Sequence, residues 1–184
     1  MSPSHSLLLA TSSLTAALLT TGLAAEVRVP DSKVSYEVSQ DAKKQNNSVI
    51  YLDERYTDTS KSYLSLRCIG GGYLASLSSK YALFDKGQRN DLDKLYRVMY
   101  QVGSAGPLAV KTLRSYEVAG KLDLSAFTFL DPAANAAIAA GLTAGKTLRL
   151  QLKPLKTGVL TEPLNYTFEA QGFGAAATAV NQCH

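Results

Sequence analysis

Tryptophan is absent from this 184-residue chain, and cysteine, histidine and methionine are scarce, with Cys 2, His 2 and Met 2. So few Cys and His leave little material for a metal centre or an activated nucleophile, and no metal ligands or cofactor are expected. Charged residues make up 18% and hydrophobic residues 46% of the chain. That balance excludes a long disordered chain, a coiled coil and a collagen-like repeat. The net charge is +4. A charge this modest, with no known binding module, makes nucleic acid a poor partner.

The missing charge is concentrated at one end. Met1 to Ala25 contains no Asp, Glu, Lys or Arg, so all 19 basic and 15 acidic residues follow it. An apolar run from Leu7 to Leu23, diluted by Ser and Thr, ends in Gly22-Leu23-Ala24. A short apolar segment closed by small residues reads as a secretory signal peptide cut after Ala24. A membrane anchor is the competing reading, but the run is near the lower limit of the ~20 apolar residues that cross a bilayer. The expected organisation is a signal peptide over 1–24 and a single mainly-β domain over 25–184. No second long apolar run exists, so no transmembrane span is expected in the mature chain. Without its first segment the chain is roughly 21% charged, near the ordinary globular share of about a quarter.

Export changes how the cysteines read. Cys68 and Cys183 are an even pair in a chain bound for an oxidising compartment, which suggests a disulfide. It would tie the last residues to an early strand. A thiol nucleophile needs a nearby base or cation, and the other mature histidine is the terminal His184.

The mature region reads mainly as strands. Val34, Tyr36 and Val38 alternate with polar neighbours, and Leu64, Leu66 and Cys68 share one face of a strand over 63–68. Gly70-Gly71-Gly72 reads as a hairpin connection to the next short apolar run. The segment 80–94 is polar and reads as irregular. Tyr96, Val98, Tyr100 and Val102 mark another strand, and 103–107 a turn. Strands are expected over 108–118 and 121–129. Asp131-Pro132 opens a helix over Ala133 to Ala140, with Gly141 as its stop. Leu148, Leu150 and Leu152 then alternate with Arg149, Gln151 and Lys153, and Tyr166, Phe168 and Ala170 repeat the pattern. An Ala-rich tail over 174–181 forms a short helix that delivers Cys183. Short strands with few helices predict an antiparallel β-sandwich or small barrel with one or two short helices.

Candidate sites are few. Gly141 to Thr147 superficially resembles a phosphate loop, but Lys146-Thr147 enters a strand, and a phosphate loop needs a helix N-terminus there. Asp53-Glu54 and Asp91-Asp93 are the acidic pairs, which would suit glycan hydrolysis only if brought together in space. Lys146, Arg149, Lys153 and Lys156 gather without an intervening acid, and Arg149 and Lys153 share one face of a strand. That face could meet an anionic partner. The 10 tyrosines could build a carbohydrate- or protein-binding face, although strand propensity already accounts for them. Asn46-Asn47-Ser48 and Asn165-Tyr166-Thr167 fit the glycosylation pattern.

Leu64-Ser65-Leu66-Arg67-Cys68, Tyr96-Arg97-Val98, Leu148-Arg149-Leu150, the run Tyr166 to Phe173 and the final Cys183 occur in an order that resembles the VasI-like periplasmic proteins associated with type VI secretion. The chain departs from that pattern in lacking Trp and in placing Met99 soon after the Tyr-Arg pair, where Asp is expected. The resemblance implies an exported, disulfide-tied β fold. It carries over Cys68 and Cys183 as a structural pair and no catalytic residue.

The expected protein is thus periplasmic or secreted, and is a non-enzymatic binding or accessory protein of the cell envelope. Its expected partner is an envelope protein or an anionic envelope polymer. The alternatives are an envelope glycan hydrolase using the acidic pairs and an inhibitor of a secreted enzyme.

Overall fold

Period-2 alternation of apolar and polar side chains builds most of this chain, because successive side chains on a strand point to opposite faces. The computed structural model describes residues 25–56, 62–88, 92–110, 113–118, 121–155 and 160–184. The expected signal segment, Asp91 and Lys156 lie outside the described residues.

Among the described residues eleven strands form two antiparallel sheets. The larger sheet has seven strands. Its order is β1 (Val27–Arg28), β2 (Val34–Glu37), β3 (Val49–Asp53), β4 (Tyr63–Ile69), β5 (Gly72–Ser78), β9 (Lys121–Phe129) and β8 (Leu113–Val118). The smaller has four, in the order β11 (Leu164–Phe168), β10 (Leu148–Pro154), β6 (Tyr96–Val102) and β7 (Leu108–Ala109). The expected sandwich is therefore found, and the small barrel is not.

The core lies between the sheets. Ile50, Leu52, Leu64, Leu66, Leu77 and Phe127 face inward from the large sheet, and Leu148, Leu150, Leu152 and Phe168 from the small one. All are buried, and each such side chain contributes about 1.5–3 kcal/mol when removed from water. Leu83 and Phe84 fill the margins from a connection, and Phe173 does so from the start of a helix. At one edge the sheets are bridged: Arg55 N donates to Thr167 O at 2.8 Å, carrying the chain after β3 onto β11.

The hairpin between β4 and β5 closes with Ile69 opposite Gly72. Gly70 and Gly71 both have positive φ, at 60° and 79°. That is the two-residue turn whose twist matches flanking strands, and it favours glycine at both centres.

Three expectations are corrected. The strand expected over 108–118 is two strands in different sheets: β7 pairs with β6, and β8 pairs with β9. Such a switch between layers is how sandwiches turn corners. The irregular segment 80–94 ends in a helical turn, α1 (Leu92–Leu95), which buries Leu92 and Leu95. With α2 (Pro132–Thr143) and α3 (Phe173–Ala179) the described residues hold three short α-helices. Val38 does not continue β2; it lies past the strand end and is exposed.

Helix α2 begins as expected and ends later. Asp131 caps it by accepting from Ala133 N at 2.9 Å and Ala134 N at 3.3 Å. Gly141 is not its stop but a contact point: a Cβ there would come 2.1 Å from Val102 Cγ1 on β6. The stop is one turn-end later. Gly145 has φ +75°, its N–H donates to Leu142 O at 3.0 Å, and Lys146 N donates to Gly141 O at 2.9 Å. These two bonds form a Schellman motif, which satisfies carbonyls the helix leaves open.

Candidate anionic-partner face

The sequence of β10 sets up this site. Its leucines are drawn inward, so Arg149, Gln151 and Lys153 must project outward. All three are exposed. Antiparallel register then decides their neighbours. On β6, Gln101 stands opposite Arg149, Met99 opposite Gln151, and Arg97 opposite Lys153. On β11, Thr167 stands opposite Arg149 and Asn165 opposite Gln151.

Arg97 and Lys153 are thus like charges directly opposite each other, an arrangement that destabilises a sheet unless an anion or water intervenes. Arg97, Arg149 and Lys153 make no ion pair among the described residues. Two acids near the face are engaged elsewhere, while exposed Glu162 lies two residues before β11. Glu169 pairs with Arg55 Nε at 3.0 Å and accepts from Thr147 Oγ1 at 3.2 Å. Glu54 accepts from Thr167 N at 3.1 Å and Tyr56 N at 2.9 Å.

Between the strands lies a depression of about 280 Å³, lined on the outer face by Met99, Gln101, Arg149, Gln151, Asn165 and Thr167. Gln151 Nε2 donates to Asn165 Oδ1 at 2.9 Å, and Gln101 Nε2 donates to Ala105 O at 2.8 Å. These bonds use one half of each amide. Gln151 Oε1, Asn165 Nδ2 and Gln101 Oε1 have no protein partner among the described residues.

Lys146 is exposed just before β10, with its aliphatic stem against Gly103 in the turn after β6. Of the four expected basic residues, the structure therefore places Arg149 and Lys153 on one face and Lys146 at its approach. The partners supplied by β6 were not singled out in the sequence, and Asn165 and Thr167 on β11 were noted only as a glycosylation triplet. The signal was present for β6, where Arg97, Met99 and Gln101 alternate with Tyr96, Val98 and Tyr100. Pairing of β6 with β10 has no local signature.

Cys68 and Cys183 are joined as a disulfide, with Cα atoms 4.9 Å apart, and both are buried. Cys68 faces inward on β4, as its alternation requires. Cys183 ends a turn after α3 in which Asn181, Gln182 and Cys183 all have positive φ, at 54°, 47° and 63°. Left-handed backbone costs non-glycine residues about 1–2 kcal/mol each, so this turn is held by its surroundings. Asn46 helps hold it by donating from Nδ2 to Val180 O at 2.8 Å. The side chain of that glycosylation triplet is therefore already used within the fold. Asn165, in the other triplet, lines the depression.

The acidic pairs are only partly described, because Asp91 lies outside the described residues. Asp53 pairs with Arg28 at 2.8 Å. Glu54 is buried and holds the backbone of β11, as above. Asp93 is exposed on α1. The tyrosines do not share one face. Tyr96, Tyr100 and Tyr166 are core residues, and Tyr166 bonds Ser79 Oγ at 2.7 Å. Tyr56 and Tyr81 are exposed and lie beneath Arg55 and Lys80, 5.7 Å and 5.0 Å from the ring centres. The side chain of Tyr116 lies outside the described residues.

Family models, curated proteins and solved structures give no match to this chain. The face is therefore read from its own chemistry. Among the described residues no group of three or more His, Cys, Asp or Glu could hold a metal ion, and no helix is long and apolar enough to cross a membrane.

Proposed function

We propose that this protein is an exported, non-enzymatic binding or accessory protein of the cell envelope, and that the outer face of its four-stranded sheet receives an anionic partner. One observation carries the reading: Arg97 and Lys153 stand directly opposite each other, Arg149 lies on the same face, and none of the three makes an ion pair among the described residues. Cations held near one another without counter-ions favour an incoming anion. The buried disulfide supports an oxidising destination. The partner is an envelope protein or an anionic envelope polymer, and the resemblance to the VasI-like proteins motivates an association with type VI secretion. An inhibitor of a secreted acidic enzyme would use the same face. The hydrolase alternative has no favouring geometry, because Asp53 and Glu54 are committed to contacts within the fold.

The test is charge reversal. The double variant Arg149→Glu/Lys153→Glu should lose sedimentation with envelope fractions by about tenfold or more, since contacts to charged groups are worth about 1.5–3 kcal/mol each. The wild-type protein should release as salt rises, and the variant should show no such dependence. Equal retention of both proteins at every salt concentration overturns the reading.

A further inference from the structure

The depression on this face contains more than a bare anion requires. Charge alone is supplied by Arg97, Arg149 and Lys153. Of these only Arg149 lines the depression, and three amides line it beside Arg149 without adding charge. Their free atoms are mixed: Asn165 Nδ2 donates, while Gln151 Oε1 and Gln101 Oε1 accept. A phosphate or carboxylate accepts only, so the acceptor atoms would be wasted on it. A hydroxyl both donates and accepts, and uses both kinds.

Spacing points the same way. Arg149 and Lys153 lie four residues apart on β10, roughly 13 Å at the strand rise of 3.2–3.4 Å per residue. Neutral Gln151 stands between them. The matching ligand has anionic groups separated by neutral, hydroxyl-bearing surface, not the dense charge of a polyphosphate. The depression's volume of about 280 Å³ is just below the usual range for small-molecule sites of about 300–1,000 Å³, which suits one ring-sized unit of a larger chain. Met99 gives that ring an apolar floor.

We infer that the partner class is a carboxylated glycan. One sugar unit sits in the depression, its carboxylate meets the planar fork of Arg149, its hydroxyls meet Gln151, Asn165 and Gln101, and a second carboxylate along the chain reaches Lys153. This inference rests on the anionic-partner reading of the same face.

The experiment is calorimetric titration of the full disulfide-bonded protein with three probes: an oligogalacturonate, inorganic polyphosphate of matched charge, and neutral dextran. The expected order is oligogalacturonate well ahead of polyphosphate, with no binding of dextran. The double variant Gln151→Ala/Asn165→Ala should weaken oligogalacturonate by about tenfold while leaving polyphosphate unchanged. Asn165→Asp, a surface change on an edge strand, should weaken oligogalacturonate by at least as much through repulsion. Equal binding of both anions, unaffected by the amide variants, overturns the glycan assignment and leaves the anionic face standing. Binding of neither anion overturns both.

Discussion

The two outer faces of this sandwich are built from the same alternation and end in opposite states. On the large sheet, Ser35, Tyr51, Ser65, Ser76 and Thr128 form one row across five paired strands. Their polar atoms are largely turned onto the fold. Ser76 Oγ and Thr128 Oγ1 are 3.0 Å apart, Ser65 Oγ donates to Ser76 O at 3.5 Å, and Ser35 Oγ donates to Glu26. Tyr51 packs edge-on against Tyr63 with centroids 5.9 Å apart. Ser35, Ser76 and Thr128 are buried although they lie on the outside. On the small sheet the side chains are long, and its cations and amides retain unused bonding capacity. Internal satisfaction marks a face that holds the fold together. Unused charge and hydrogen-bonding groups mark a face that can hold something else.

If that division is right, damage to the large sheet should unfold the protein and damage to the small sheet's exterior should not. The largest effect is expected from Cys68→Ala/Cys183→Ala. The bond spans 115 residues, and a loop of that order gives about 4.7 kcal/mol in the chain-entropy model, before native strain is subtracted. The left-handed turn 181–183 should then relax, so amide exchange should quicken first in α3 and β4. Earlier exchange in β10 would break the comparison, because it would make the small sheet the dependent layer. Should the double variant not fold, exchange on the wild-type protein under reductant gives the same ordering.

Next in size is Gly141→Ala. The new methyl meets Val102 Cγ1, and overpacking of this kind costs about 1–3 kcal/mol. Val102→Ala in the same chain should recover most of the loss in urea unfolding. This tests the inner face of the small sheet, which must be rigid if its exterior is to present fixed charges. A Gly141→Ala protein as stable as wild type would mean that α2 does not brace β6.

How far these features could be read beforehand depended on range. Alternation is local, so the inward leucines of β10, the inward Cys68 and the exposed Arg149 and Lys153 were legible. The Asp131-Pro132 start of α2 was legible for the same reason, since a cap bonds residues two and three positions away. The end of α2 was misread. Gly141 has two possible uses, stop or close contact, and only the approach of Val102 from another element decides between them. The division of 108–118 between two sheets was hidden because each half has ordinary strand character. The depression was hidden as well: Gln101, Gln151 and Asn165 come together only through register, which sequence spacing does not encode.

Alkaline pH offers a third test, and it bears on both layers. Burial and the nearby Glu37 raise Tyr51 from 10.0 to about 12, outweighing Arg67, which lowers it. Burial raises Tyr166 from 10.0 to about 12, against a lowering contribution from its bond to Ser79. Both phenols keep their proton in the folded state where the unfolded chain has lost it. Their contribution is therefore fully present below pH 10 and is lost as pH rises toward about 12. Denaturation series across that window should show falling stability, with a shallower fall in Tyr51→Phe and in Tyr166→Phe. An unchanged slope in both would mean that neither layer shields its tyrosine.

The smallest effects make the sharpest contrast, because they set one side chain of each face against the other. Ser76→Ala removes the bond to Thr128 and leaves a buried hydroxyl without its partner, which should cost about 1 kcal/mol, with loss of a typical hydrogen bond lying near 0.5–1.5. Binding of an anionic polymer should be unaffected. Arg149→Gln removes an exposed cation with no ion pair among the described residues, and changes of that kind fall within about 0.5 kcal/mol in stability. Its binding should fall by about tenfold, the usual loss when a charged contact of ~1.5 kcal/mol disappears. Midpoints of urea unfolding and titration with the anion, measured on both variants, place each residue on one axis or the other. A stability loss at Arg149 equal to that at Ser76 would mean its guanidinium braces the sheet, and the two faces would then differ in exposure but not in role.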